Sequence, residues 1–187
     1  MDCQDGEEVV FSWIEWPDKA THDRMVAGME ELVKTDPRFD PQKNPMPFDG
    51  KRMIYGSFQP IVERGDWVRG GYVQGFVVPV KAERKEDYHR MADEVWDMFA
   101  EFGGRRVIEA WQDQVPRGER TDFYRAVKAD ADEAVVFSFI EWDSKQACDD
   151  AHARMMADER MKQPPDMPFD GKRMIFGGFT PVVELGE

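Results

Sequence analysis

Cysteine and histidine are scarce in this chain, two and three residues of 187. Cys3 stands near the N-terminus and Cys148 inside a helical stretch, so neither a disulfide framework nor a cysteine metal site is indicated, and a reducing cytosol fits best. His22, His89 and His152 each sit in a helical stretch without a second ligand at binding spacing, and no metal is expected. Positive charge is the minority sign. Lys and Arg number 25 against 38 Asp and Glu, a net charge of −13 that opposes association with phosphate backbones or anionic membrane surfaces, so nucleic acid and membrane are not expected as partners. No segment approaches the roughly 20 apolar residues needed to cross a bilayer. Residues 1–8 are polar and acidic and lack the apolar core of a signal peptide, so the chain reads as soluble and unexported. A Gly-rich phosphate loop, His-Glu-x-x-His, Cys-x-x-Cys and Gly-x-Ser-x-Gly are all missing, and no cofactor is implied.

What the chain does have is an apolar core in the making and an internal repeat. Hydrophobic residues make up 41% and aromatic residues 12%. The nine residues Met-Pro-Phe-Asp-Gly-Lys-Arg-Met-Ile occur unchanged at 46–54 and at 167–175. Pro followed by Phe-Asp-Gly predicts a tight turn, with Gly50 and Gly171 free to take positive φ, and Lys-Arg-Met-Ile then opens an apolar strand over 51–62 and 172–183. A second pair lies upstream. Residues 7–16 read Glu-Glu-Val-Val-Phe-Ser-Trp-Ile-Glu-Trp, and residues 133–142 read Glu-Ala-Val-Val-Phe-Ser-Phe-Ile-Glu-Trp. Both read as the same strand, apolar on both faces and therefore covered on both sides, by helices on one and by a second sheet or subunit on the other.

A helix follows each of these strands, with Asp18 and Ser144 as N-caps. The first stretch is longer by four residues, 17 against 13, close to the roughly 3.6 residues of one helical turn, so helix one is lengthened without turning its buried face away. Prolines close both connections, Pro37, Pro41 and Pro45 in one copy and Pro164, Pro165 and Pro168 in the other. Between the copies, residues 72–80 read as a strand and 82–102 as a helix, with Tyr88, Met91, Ala92, Val95, Met98, Phe99 and Phe102 at steps of three and four and Gly103 as its stop. Residues 106–111 read as a strand and 122–128 as a short strand. The run 72–183 is then β-α-β, a hairpin, β-α-β, the ferredoxin-like order. The predicted division is a β-α-β half repeat over 1–65 and a complete α+β domain over 66–187.

Gly75-Phe76-Val77-Val78, Phe102-Gly103-Gly104, Thr121-Asp122-Phe123, 133–142 and above all 167–178 resemble the small bacterial YbaA-like proteins of unknown function (DUF1428). The resemblance spans one whole unit over about 70–185, and residues 7–63 resemble only the second half of another. It implies a ferredoxin-like fold of the dimeric α/β-barrel type, and no activity. One departure is Gln74, a neutral amide where the family pattern has an acidic residue.

Among candidate functional residues, Glu141 extends an aromatic strand face where burial would raise a carboxyl pKa; the alternative is a strand-end ion pair. Glu109, between Val107 and Trp111, and Arg125 would join it from neighbouring strands, or bridge the sheet as an ordinary ion pair. Asp170, Lys172 and Arg173 offer an anion grip or a self-bonded turn. Phe137, Phe139, Trp111 and Met174 would line one apolar cavity or interface. Two functions stand: a binding or interaction module, with a small apolar ligand between sheets, and a cofactor-independent oxygenase or isomerase acting on a small aromatic compound, the latter by analogy of fold. Because a half unit leaves strand edges open, a homo-oligomer, in its simplest form a dimer, is expected.

Overall fold

A computed structural model of the chain describes residues 3–67, 69–161 and 166–186. Pro164 and Pro165 lie outside the described residues. The chain forms two compact units that divide between Met53 and Ile54.

The larger unit is built on one antiparallel sheet of β1 (Ser57–Gly65), β2 (Tyr72–Lys81), β3 (Gly104–Gln114), β4 (Glu133–Trp142) and β5 (Ile175–Phe179), in the order β1-β3-β4-β2-β5. Helix α2 (Lys85–Glu101) joins β2 to β3, the single turn α3 (Phe123–Ala126) precedes β4, and α4 (Lys145–Ala157) follows it. Taken from β2 onward this is β-α-β-β-α-β with spatial order 4-1-3-2, a ferredoxin-like α+β fold. Strand β1, contributed by the end of the first half repeat, is added beyond β3, so the sequence-repeat boundary and the boundary between compact units fall at different places.

Strand alternation sorts the two faces. Val78 and Val80, Val107 and Trp111, and Val136, Ile140 and Trp142 pack under Tyr88 and Ala92 of α2 and Cys148, Ala151 and Met155 of α4. Val77, Val135, Phe137 and Ile175 face the other way, toward Phe58, Phe123 and Val127. Strand β4 is central, between β2 and β3, which explains why both of its faces are apolar. Gly103 ends α2 with φ 104°, in the left-handed region that favours glycine.

Residues 122–128 form a helical turn capped by Asp122, whose side chain accepts from the Arg125 N–H at 2.7 Å, instead of the expected strand. Gly50 and Gly171 do not take positive φ; the Asp49 and Asp170 carboxylates hold the turns by accepting from the N–H two residues on. That turn delays the following strands to Ser57 and Ile175.

The smaller unit has α1 (Lys19–Thr35), capped by the Asp18 side chain on the Thr21 N–H, as α4 is capped by Ser144 on Ala147. Helix α1 is 17 residues and α4 is 13, so the insertion is one added turn. Residues 7–16, expected as a strand, are not one. Their twin β4 is paired on both edges, and the contrast in burial is large: Val136 is 0% and Ile140 3% exposed, whereas Val10 is 82% and Ile14 75% exposed. Strand propensity without flanking strands does not make a strand.

Candidate functional site

The alternation of β3 turns Glu109 toward the helices together with Val107 and Trp111, and the apolar stripe of α2 brings Tyr88 over it. The Tyr88 hydroxyl donates to Glu109 Oε2 at 2.7 Å. Ser138, the Cα partner of Glu109 on β4, hydrogen-bonds to the same carboxyl. These bonds favour the ionised form, but burial among apolar side chains outweighs them and lifts the carboxyl to about 7. The same burial, together with the carboxylate beside it, holds the Tyr88 phenol well above its ordinary value. Lys85 Nζ lies 5.3 Å from the Trp111 ring centroid at the edge of this site. A carboxyl poised near neutrality and held by two hydroxyls can take up or release a proton at physiological pH.

A second polar group lies on the same face under α4. Gln74 is buried, and its Oε1 lies 3.1 Å from His152 Nε2 and accepts from Cys148 Sγ at 3.9 Å. The Trp142 indole N–H beside it is buried with no hydrogen-bond partner among the described residues. The neutral amide at Gln74 thus serves as an acceptor at the helix–sheet boundary.

The remaining candidates are placed elsewhere. Glu141 and Phe139 project from the opposite face of β4, so Glu141 and Glu109 are separated by the sheet and do not share a site. Arg106 on β3 lies between carboxylates on that face, with Nη1 3.5 Å from Glu141 Oε1 and Nη2 2.8 Å from Glu63 Oε1. Phe137 packs edge-on to Phe123 and Phe139 there, while Trp111 and Met174 belong to the helix-side core, so the four residues line two surfaces. Arg125 Nη1 donates to the Gly118 and Glu119 carbonyls and thereby fixes the loop before α3.

Asp170 accepts from the Lys172 N–H and from Arg173 Nε, each at 3.0 Å. Arg173 in turn makes two 2.6 Å bonds to Glu133 at the start of β4, holding that carboxyl below the usual range. The first copy repeats this. Arg52 makes two 2.6 Å bonds to Glu7, whose carboxyl is lowered to about 2, chiefly by that contact. The head of residues 7–16 is therefore anchored as the head of β4 is.

Glu109 and Tyr88 stand out separately in the sequence, as a strand carboxylate and as part of a helix stripe, but their bond does not. The signal was present: a carboxylate at an inward strand position requires a donor, and Tyr88 is a hydroxyl on the inward stripe of the preceding helix.

Fold and strand order define a ferredoxin-like α+β protein with a carboxyl–hydroxyl cluster between helix and sheet. The chain belongs to the family described as Protein of unknown function (DUF1428), whose model matches residues 1–50 and 71–171. It is 51% identical over 114 residues to the "Uncharacterized protein YbaA" of Escherichia coli strain K12, covering 60% of this chain and 97% of that protein. The YbaA protein of Shigella flexneri matches with the same identity and coverage. Among solved structures, a monooxygenase-like protein (LIN2316) from Listeria innocua is similar at 11% identity and TM-score 0.35, covering 68% of this chain. This chain spans 65% of that one. A structure described as a major regulator of staphylococcal pathogenesis is similar at 11% identity and TM-score 0.43, covering 83% of this chain and 94% of the other. Among the described residues, no helix is long and apolar enough to cross a membrane.

Proposed function

We propose that the chain is a binding or interaction module of the cytoplasm that works as a homo-oligomer, a dimer in its simplest form, associating through the side-chain faces of its half repeat. The observation that carries this reading is the exposure of Val10 and Ile14 where their twins Val136 and Ile140 are buried. Each such side chain gains about 1.5–3 kcal/mol on full burial. Association of apolar faces also encloses space for a small apolar molecule, the ligand class this reading names. Replacing Val10 and Ile14 together by Asp is the test. Sedimentation velocity should then find monomer where the parent chain is associated, and an unchanged oligomer would reject the half repeat as the interface.

One observation supports a second reading, proton transfer in an isomerase acting on a small aromatic compound: Glu109 is poised near neutrality. A panel of aromatic ketones in deuterated water tests it. Exchange at the carbon next to the carbonyl should be catalysed by the parent chain and lost in Glu109→Gln; no exchange with any of them rejects the reading.

A further inference from the structure

The repeat lets one half of the chain state what the other half lacks. Strand β4 has two neighbours, β2 along its whole length and β3 along most of it, and both belong to one strand–helix–strand element, β2-α2-β3. Its twin, residues 7–16, has the same sequence pattern, the same bidentate anchor at its head and the same capped helix at its tail, but among the described residues it forms no strand ladder. A second stretch makes the same point in the opposite direction. By the repeat, residues 178–186 are the twin of β1, with Val183 matching Val62. Strand β1 lies along β3, and Val62 is 3% exposed. Beyond Phe179 the twin forms no strand, and Val183 is 72% exposed. Each stretch therefore misses the neighbour that its twin obtains from β2-α2-β3.

We propose that residues 7–16 and 180–186 are strand-addition sites for a polypeptide of the β2-α2-β3 kind: two antiparallel strands, apolar on the inward face, joined by an amphipathic helix. This rests on the interaction reading above and specifies the backbone partner that side-chain association leaves open. A second copy of the chain is not that partner. Each chain carries two stretches of the β4 sequence pattern, of which only β4 is a strand, and one β2-α2-β3 element, so a copy that gave up its own β2-α2-β3 would strip β4 and lose its buried Val136, Ile140 and Trp142. The partner is a strand–helix–strand segment additional to those of the copies, and it binds by main-chain pairing with alternate side chains filling the faces.

Hydrogen exchange read by mass spectrometry tests this on two chains, the parent and an extended chain in which a second copy of residues 72–132 precedes residue 7, the junction that naturally leads into β4. In the parent, at the concentration where sedimentation defines its oligomer, amides of 8–16 and 180–186 should exchange nearly as in an unfolded chain while those of β4 are protected. In the extended chain both stretches should gain protection of at least roughly 100-fold. Protection already present in the oligomeric parent would overturn the proposal by showing that a copy supplies the pairing, and would leave the homo-oligomer standing. Unprotected amides in the extended chain, with β4 still protected, would overturn it as well. A monomeric parent whose extended form becomes protected would instead reject the homo-oligomer and keep the strand-addition sites.

Discussion

Glu109→Gln isolates the cost of keeping an ionisable group between helix and sheet. The carboxyl loses its proton near 7 in the fold against an ordinary value of 4.5. The sign follows from the raised value: below 4.5 the group is protonated whether folded or unfolded and costs nothing. The penalty develops as pH rises, because the unfolded chain ionises first, and it is complete above 7. The full difference corresponds to roughly 3 kcal/mol, and the partial access of water to the carboxyl reduces it to about 2 kcal/mol. Glutamine keeps the shape, and its carbonyl still accepts from Tyr88 while its amide donates to the Ser138 oxygen. For a chain of this size 1 kcal/mol moves Tm by about 2–4 °C, so Glu109→Gln should raise Tm by about 4–8 °C at pH 8. At pH 5 only about a quarter of the penalty is developed, and the gain should shrink to about 2 °C or less. Thermal unfolding followed by circular dichroism at the two pH values is the assay. An equal gain at both, or a loss at pH 8, would refute the assignment of a neutral-range carboxyl to this site.

Arg173→Met removes both bonds to the Glu133 carboxyl and should cost about 2 kcal/mol at pH 7. Since Glu133 is held below its ordinary value, that stabilisation is complete above 4.5 and is lost as pH falls, so urea denaturation at pH 3 should show a smaller difference. The twin positions on β4 and its copy should behave oppositely: Ile140→Ala should lower stability by about 2–5 kcal/mol, while Ile14→Ala should stay within about 0.5 kcal/mol and instead weaken association. Equal destabilisation by the two would mean that residues 7–16 are packed as β4 is.

The parts of this fold that were legible in the sequence are those whose instructions are local. The stripe from Tyr88 to Phe102 is α2, the caps at Asp18 and Ser144 start their helices, and the four extra residues of the first copy became one extra turn. The β-α-β-β-α-β order followed from those elements alone. What escaped was non-local. Residues 7–16 and 133–142 share a sequence pattern and differ in structure because strand formation depends on neighbours that local composition does not record. The turn at 167–175 was recognised, but its Asp170 acts by bonding its own backbone and Arg173, which displaced the start of β5 by three residues. Grouping Glu109 with Glu141 failed on alternation: one strand directs its odd residues to the helices, the other its even ones, a register that only pairing fixes.

The central question is whether the half repeat makes this chain associate. Sedimentation velocity of the unmodified chain across a micromolar concentration series, beside a chain lacking residues 1–53, measures that directly. A discrete oligomer is expected for the full chain, with the dimer as its smallest form, and weaker association for the shortened one. A full chain that stays a stable, well-folded monomer at every concentration would contradict association through the half repeat.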